Sequence, residues 1–136
     1  MKLIGIDYGR RRIGIAATDE NGEFIRSLPT LDRKTQPAYF DALSDVVARE
    51  GAGGIVVGLP LDADGGDTAM SLEIRAFAAR LEKTIAVPVH FVDESLTSKR
   101  ANDIILYKKR KSRRTRGTVD RIAACLILEE FQRETR

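Results

Sequence analysis

The chain has 136 residues, 43% of them hydrophobic, and a formal net charge of +3, which together are typical of one soluble domain spanning residues 1–136. Its apolar runs are far shorter than the roughly 20 residues of a membrane-spanning helix. Its first residues predict a strand instead of a signal segment. We therefore expect a cytoplasmic protein without membrane contact. Its single cysteine, Cys125, excludes an internal disulfide framework.

The first predicted element is a hairpin of two short apolar runs. The first run ends at Asp7, and the turn that follows contains Gly9 and the arginines Arg10, Arg11 and Arg12. Apolar residues fill consecutive positions in both runs, so we expect both faces of these strands to be covered, as in the centre of an α/β sheet. Burial disfavours the charged form of Asp7 unless a cation binds it, although an aspartate also commonly starts a turn. Gly9 lets a ligand or another backbone approach closely.

Three further strands are predicted, over residues 24–28, 54–60 and 87–92. The first of them continues the hairpin in antiparallel order. The other two are short and almost entirely apolar, which is typical of parallel strands buried on both faces. The predicted sheet therefore has three sequential antiparallel strands and then two parallel strands.

Helices are predicted between and after these strands, so the fold class is α/β. One helix begins at Pro37 and stops at Gly51, and a second is capped by Asp67 or Thr68. A helical pattern over residues 97–107 is followed by a mobile basic loop over residues 108–117. Thr118 then caps the last helix, whose small residues let it lie close to the sheet.

Three acids fall at the ends of predicted elements. Asp7 follows the first strand, Glu94 follows the fifth beside Asp93, and Asp120 lies in the first turn of the last helix. Since parallel strands present their carboxyl ends at one edge of a sheet, we expect these acids to converge there. Clustered carboxylates favour Mg²⁺ or Mn²⁺, and two such ions about 4 Å apart promote phosphodiester hydrolysis. Taken singly, each acid also has an ordinary structural interpretation.

Basic residues form two clusters, the three arginines of the first turn and a denser run near the carboxyl end. The members of the second cluster are Lys108, Lys109, Arg110, Lys111, Arg113, Arg114 and Arg116. A cationic segment beside a metal site is suited to hold the backbone phosphates of a nucleic acid, although a basic run is also often a solvated surface. We therefore interpret both clusters as nucleic-acid-binding residues.

Four motifs in this order resemble those of the YqgF (RuvX) family over essentially the whole chain. They are Gly5-Ile6-Asp7-Tyr8-Gly9 with Arg12-Ile13-Gly14, Val56-Val57-Gly58-Leu59-Pro60 with Asp64-Gly65, Val92-Asp93-Glu94-Ser95-Leu96-Thr97-Ser98, and Val119-Asp120-Arg121-Ile122-Ala123-Ala124 with Ile127-Leu128. The resemblance implies an RNase H-like fold, with a five-stranded mixed sheet flanked by helices, that is related to the resolvase RuvC.

The resemblance also implies a function, either nuclease processing of the 5′ end of pre-16S rRNA or resolution of Holliday junctions. It identifies Asp7, Glu94 and Asp120 as the catalytic and metal-binding acids, and we interpret Asp93 as a supporting acid. The family usually has an arginine directly after the glutamate, whereas this chain has Ser95. The role of that position is therefore open.

Three alternatives to an rRNA nuclease stay open, one of them another nuclease and two of them proteins of other classes. A junction resolvase cuts two strands and is expected to be a homodimer, whereas an rRNA nuclease has no such requirement. A non-catalytic RNA-binding module on the same fold would bind nucleic acid without needing a metal. An actin-like or sugar-kinase phosphate-binding domain also opens with such a hairpin, but it needs a second lobe.

Overall fold

The computed structural model describes residues 1–93 and 118–135. Their elements in chain order are β1 (Leu3–Asp7), β2 (Arg12–Thr18), β3 (Ile25–Asp32), α1 (Tyr39–Glu50), β4 (Gly54–Leu59), α2 (Ala69–Ile85), β5 (Val89–Asp93) and α3 (Thr118–Thr135). The helix predicted over residues 97–107 and the basic loop predicted over residues 108–117 lie outside the described residues. Within the described ranges, the structure has no helix long and apolar enough to cross a membrane.

The strands form one mixed sheet in the order β3-β2-β1-β4-β5. β2 pairs antiparallel with both β1 and β3, whereas β4 pairs parallel with both β1 and β5. This arrangement confirms the predicted α/β fold class and its division into antiparallel and parallel strands. β1 is the central strand, and its carboxyl end lies at the same edge of the sheet as the carboxyl ends of β4 and β5. We call this edge the carboxyl edge.

β3 is longer than the sequence pattern predicts. Its antiparallel register continues past Pro29 and pairs Leu31 with Ile13 and Asp32 with Arg12, after an irregularity between Ile13 and Ile15. Proline is tolerated there because β3 is an edge strand whose outer side needs no hydrogen-bond donor. The extension brings the residues that follow β3 next to the turn between β1 and β2.

Two hydrophobic cores cover the two faces of the sheet. Ile4 and Ile6 of β1 are fully buried on the face that α1 and α2 cover. Leu3 lies on the other face, against Ala124 and Leu128 of α3. The predicted burial of both strand faces is therefore correct, and residues of β1 alternate between the two cores, as the two-residue period of a strand requires.

The start of α2 fits one of its two predicted caps. Thr68 is the N-cap of α2, because its Oγ1 accepts a hydrogen bond from the Ser71 amide at 3.0 Å while Ser71 Oγ accepts one from the Thr68 amide at 2.7 Å. This reciprocal pair settles the choice between Asp67 and Thr68. α1 begins at Tyr39, two residues later than the helix predicted from Pro37.

Candidate active site

Asp7 is the last residue of the central strand and lies between two glycines. It pairs with Gly14 on β2, and the register that pairs Ile6 with Val57 places Gly58 beside it on β4. The residues beside the half-buried Asp7 on both neighbouring strands therefore have no side chain. The sequence contains these glycines, but only the strand register shows that they flank the acid.

Asp7 lies on the sheet face that α3 covers. Leu3, Gly5 and Asp7 share that face because side chains alternate along a strand. Gly5 is the point of closest approach, since a Cβ added to it would lie 2.6 Å from Leu128 Cγ and 2.9 Å from the Ala124 carbonyl oxygen. A glycine is therefore required at position 5 to let the helix lie this close to β1.

The direction of α3 follows from its contacts at the two ends of the sheet. Near its carboxyl end, Gln132 Nε2 donates hydrogen bonds to the carbonyl oxygens of Gly22 and Glu23 in the turn between β2 and β3. That turn lies at the edge where β1 begins, because the Met1 amino group donates to the Glu20 carbonyl oxygen at 2.8 Å. α3 thus runs antiparallel to β1, and its first turn lies at the carboxyl edge.

The rise per residue of the helix and that of the strand place Asp7 and position 120 at about the same distance from the contact between Gly5 and Ala124. Position 120 is one turn before Ala124, which is about 6 Å along the helix axis at 1.5 Å per residue. Asp7 is two residues beyond Gly5, about 6.6 Å along the strand. Positions 120, 124 and 128 also share one helical face. The backbone positions of residues 7 and 120 therefore lie at the same edge of the sheet, on the side that α3 covers.

The acids at the end of β5 are arranged differently. Asp93 is exposed and pairs with Leu59, whose side chain belongs to the core under α1 and α2. Asp93 thus lies on the face opposite Asp7, two strands away, about 10 Å across the sheet. Glu94 lies outside the described residues. Among the side chains that the structure describes, those of residues 1–93 and 122–135, no three metal-binding groups form a cluster.

The turn between β1 and β2 carries the first basic cluster, as predicted. Arg10 and Arg11 are exposed, and Arg12 is half-buried in β2. Two cations that the sequence analysis did not select, Arg33 and Lys34, join them from the segment after β3. The antiparallel pairing of Asp32 with Arg12 brings these segments together, and it depends on the unpredicted extension of β3. The basic residues of the second cluster, from Lys108 to Arg116, lie outside the described part of the chain.

A hydrogen-bonded network fixes this turn to α2. Tyr8 Oη donates to Glu73 Oε2 at 2.7 Å and accepts from Arg33 Nη1 at 3.0 Å, while Arg10 Nε donates to Glu73 Oε1 at 3.2 Å. Burial raises the pKa of Tyr8, and the hydrogen bond from Tyr8 lowers the pKa of Glu73. At neutral pH, the tyrosine is therefore a neutral donor to a charged carboxylate.

Gly9 closes the turn itself. A Cβ at this position would lie 2.4 Å from the Arg12 carbonyl oxygen, so the close approach that the sequence predicted is made by the backbone of the same turn. The turn therefore holds Arg10 and Arg11 at the carboxyl edge, within four residues of Asp7.

Comparison with known sequences identifies relatives over nearly the whole chain. A family model described as "RuvX: Holliday junction resolvase" matches residues 1–134. A protein of Maridesulfovibrio salexigens named "Putative pre-16S rRNA nuclease" is 38% identical over 131 residues, which are 96% of this chain and 97% of the relative. A protein of the same name from Oleidesulfovibrio alaskensis is 41% identical and is covered over 91% of its length.

Two solved structures of resolvases are similar to this chain over nearly its whole length. Thermus thermophilus RuvC in complex with a Holliday junction substrate aligns with a TM-score of 0.61 at 16% identity, over 98% of this chain and 96% of RuvC. The fowlpox virus resolvase in complex with Holliday junction DNA aligns with a TM-score of 0.59 at 13% identity, over 99% of this chain and 98% of the viral protein. At these identities, the similarity establishes the RNase H-like fold of RuvC.

Proposed function

The chain belongs to the RuvX family, and from this premise we propose that it is a divalent-metal-dependent endonuclease that hydrolyses phosphodiester bonds in structured nucleic acid. Its proposed substrate is the 5′ region of pre-16S rRNA. The observation that carries the proposal is the placement of Asp7 between two glycines at the carboxyl edge, level with the helix turn that contains Asp120.

The residues at this edge fit a divalent cation. Carboxylate oxygens are the ligands that Mg²⁺ and Mn²⁺ prefer, and Gly14 and Gly58 leave space beside the Asp7 carboxylate. The proposed ligands are Asp7 and Asp120, together with Glu94. A cation held by these residues would supply Lewis-acid stabilisation to the phosphodiester displacement and would lower the pKa of a water molecule at the site.

The remaining site residues bind and orient the substrate. Asp7 is fixed on the central strand, so its carboxylate is held rigidly, which favours precise placement of the reacting group. Arg10, Arg11 and Arg12, with the basic residues from Lys108 to Arg116, are proposed to bind backbone phosphates. Such contacts position the substrate without reading its sequence. The exposed Asp93, on the opposite face, is proposed to support the site without binding the reacting phosphate.

Two substrates are compatible with this set of acids. The names of the relatives at 36–41% identity favour pre-rRNA, whereas the family description and the fold of RuvC favour a four-way DNA junction. We assign more weight to the closer sequence relatives. Junction resolution requires two active sites and therefore a homodimer.

Cleavage assays on both substrates test the proposal. Labelled RNA carrying the precursor 5′ extension and a labelled four-way DNA junction are each incubated with the protein in Mg²⁺, in Mn²⁺ and in excess chelator. We expect cleavage of the RNA with either metal, no cleavage with chelator, and recovery of cleavage when metal is restored.

Other outcomes decide between the alternatives. Metal-dependent cleavage of the junction alone, together with a dimer in sedimentation, would replace pre-rRNA with the junction as substrate. Binding of either substrate without cleavage in any metal would contradict the nuclease proposal and favour a non-catalytic nucleic-acid-binding module.

A further inference from the structure

We propose that a basic pocket beside the first turn binds a backbone phosphate of the substrate strand at a distance from the phosphodiester that is cleaved. This inference rests on the proposed function. The pocket has a volume of about 400 Å³ and is lined by Arg10, Arg11, Arg33, Lys34 and Tyr39. Three of its residues, Arg33, Lys34 and Tyr39, belong to no motif that the sequence analysis selected.

Arg33 is held in place by contacts on several sides. Its Nη1 donates to Tyr8 Oη at 3.0 Å and to the Gly9 carbonyl oxygen at 3.2 Å, and its Nη2 donates to Tyr39 Oη at 3.3 Å. Its guanidinium carbon also lies 4.5 Å from the centroid of the Tyr39 ring. The guanidinium group is therefore fixed before any ligand arrives, which lowers the entropic cost of binding an anion.

The same group keeps donors for a ligand. An arginine has five N–H groups, and the contacts of Arg33 use three of them. The Nε–H group and one N–H of Nη2 have no acceptor among the described residues. Two donors in a planar fork match the oxygens of a phosphate group.

The charge of the pocket is positive even after its ion pairs are counted. Arg10 pairs with Glu73 at 3.2 Å and Arg11 approaches Asp32 at 3.8 Å, while the side chains of Arg10 and Arg11 remain 67% and 54% exposed. Lys34 is exposed, and within the described part of the chain its ammonium group forms no ion pair. The pocket thus has four cations and two carboxylates, and a phosphodiester of the substrate would offset part of the excess positive charge.

The pocket lies within reach of a strand bound at Asp7. Arg10 follows Asp7 by three residues, so their backbones are at most about 10 Å apart. Nucleotides in a helical strand rise about 3.4 Å each, so this distance corresponds to roughly three nucleotides. The pocket opens on the side of the sheet that α1 and α2 cover, so one strand that crosses the carboxyl edge from the α3 side to that side can contact both the acids and the pocket.

The double variant Arg11→Gln/Lys34→Gln tests the pocket because both side chains are exposed and neither belongs to the metal site. Binding of a fluorescein-labelled single-stranded RNA of 20 nucleotides is measured by anisotropy across a salt series, in chelator so that no cleavage occurs. Each lost phosphate contact on a single strand lowers the slope of log K against log salt by about 0.7. We expect a decrease of about 0.7, for the one phosphate that the pocket binds, and a loss of affinity of roughly fivefold at 0.1 M salt.

A matched control removes the same charge at the opposite edge of the sheet. Arg49→Gln/Lys83→Gln changes two exposed cations in the last turns of α1 and α2, far from the carboxyl edge. We expect its salt slope to equal that of the wild type. An equal decrease in both double variants would overturn the inference, as would an unchanged slope in Arg11→Gln/Lys34→Gln.

The result is separable from the test of the proposed function. The anisotropy assay measures binding alone, whereas the cleavage assay measures chemistry. A protein that cleaves RNA with metal but keeps its full salt slope in Arg11→Gln/Lys34→Gln would retain the nuclease assignment and lose the phosphate pocket. A protein that binds through the pocket but cleaves neither substrate would lose the nuclease assignment alone.

Discussion

Replacing Asp7 with asparagine is expected to reduce the cleavage rate by at least about 10²- to 10³-fold while leaving the fold and the affinity for nucleic acid close to those of the wild type. An asparagine preserves the volume of the side chain but removes the negative charge that holds a divalent cation at the carboxyl edge. Loss of several kcal/mol of transition-state stabilisation corresponds to a rate decrease of this size. Single-turnover cleavage of the labelled RNA, with anisotropy and thermal melting in parallel, measures the three quantities.

Asp45→Asn is the matched control for this substitution. Asp45 is an exposed residue in the middle of α1, on the other side of the sheet from α3, and the change alters the net charge identically. Its cleavage rate is expected to equal that of the wild type. If Asp7→Asn cleaved normally, Asp7 would not be catalytic; if it lost fold, binding and cleavage together, its role would be structural.

Substituting alanine for Gly5 is expected to destabilise the protein by about 1–3 kcal/mol and to lower the cleavage rate even in the fraction that is folded. The added methyl group would lie 2.9 Å from the Ala124 carbonyl oxygen, which belongs to helix backbone and can move only with α3. Overpacking of a core typically costs this much. A shift of α3 away from β1 also moves its first turn away from Asp7.

The corresponding control adds a methyl group beside the end of an exposed side chain instead of beside helix backbone. In Gly66→Ala the closest atoms belong to the Asp62 carboxylate at 3.1 Å, in an exposed loop, so the free energy of unfolding is expected to change by less than about 0.5 kcal/mol. Thermal melting of both variants is compared, and a fall of roughly 5–15 °C is expected for Gly5→Ala. Equal melting temperatures for Gly5→Ala and the wild type would contradict the close packing of α3 on β1.

Much of the fold was accessible from the sequence because its signals are local. The unbroken apolar runs before Asp7 and after Arg12 predict buried neighbouring strands, and the run that ends at Pro60 predicts a buried parallel strand. The apolar spacing of α2 and its capping Thr68 likewise depend only on nearby residues. The adjacent alanines of α3 indicated close packing on the sheet, and Gly5 is where that close approach occurs.

Features that depend on strand register could not be predicted from the sequence. The pairing of Asp32 with Arg12 extends β3 and brings Arg33 and Lys34 to the first turn, and no local pattern encodes it. The bond from Tyr8 to Glu73 joins residues 65 positions apart. The placement of Asp93 on the sheet face opposite to that of Asp7 also follows only from the register of Asp93 with Leu59.

The three predicted acids also combine features that the local sequence predicts with features that depend on the folded structure. Their positions at element ends could be read directly, and the topology brings Asp7 and the first turn of α3 to one edge. The relative position of Asp7 and the first turn of α3 depends on the contact of Gly5 with Ala124, which fixes where α3 lies along β1. The role of Glu94, outside the described residues, stays a prediction.

Binding of Mn²⁺ in the absence of nucleic acid tests most directly whether Asp7 and Asp120 share a cation. Free Mn²⁺ is titrated against the wild type, Asp7→Asn, Asp120→Asn and the control Asp45→Asn and is monitored by electron paramagnetic resonance, after thermal melting has established that each variant is folded. We expect the wild type and Asp45→Asn to bind Mn²⁺ equally and both site variants to bind it at least about tenfold more weakly, a difference of about 1.4 kcal/mol. Undiminished binding in folded Asp7→Asn and Asp120→Asn would contradict a metal site at the carboxyl edge.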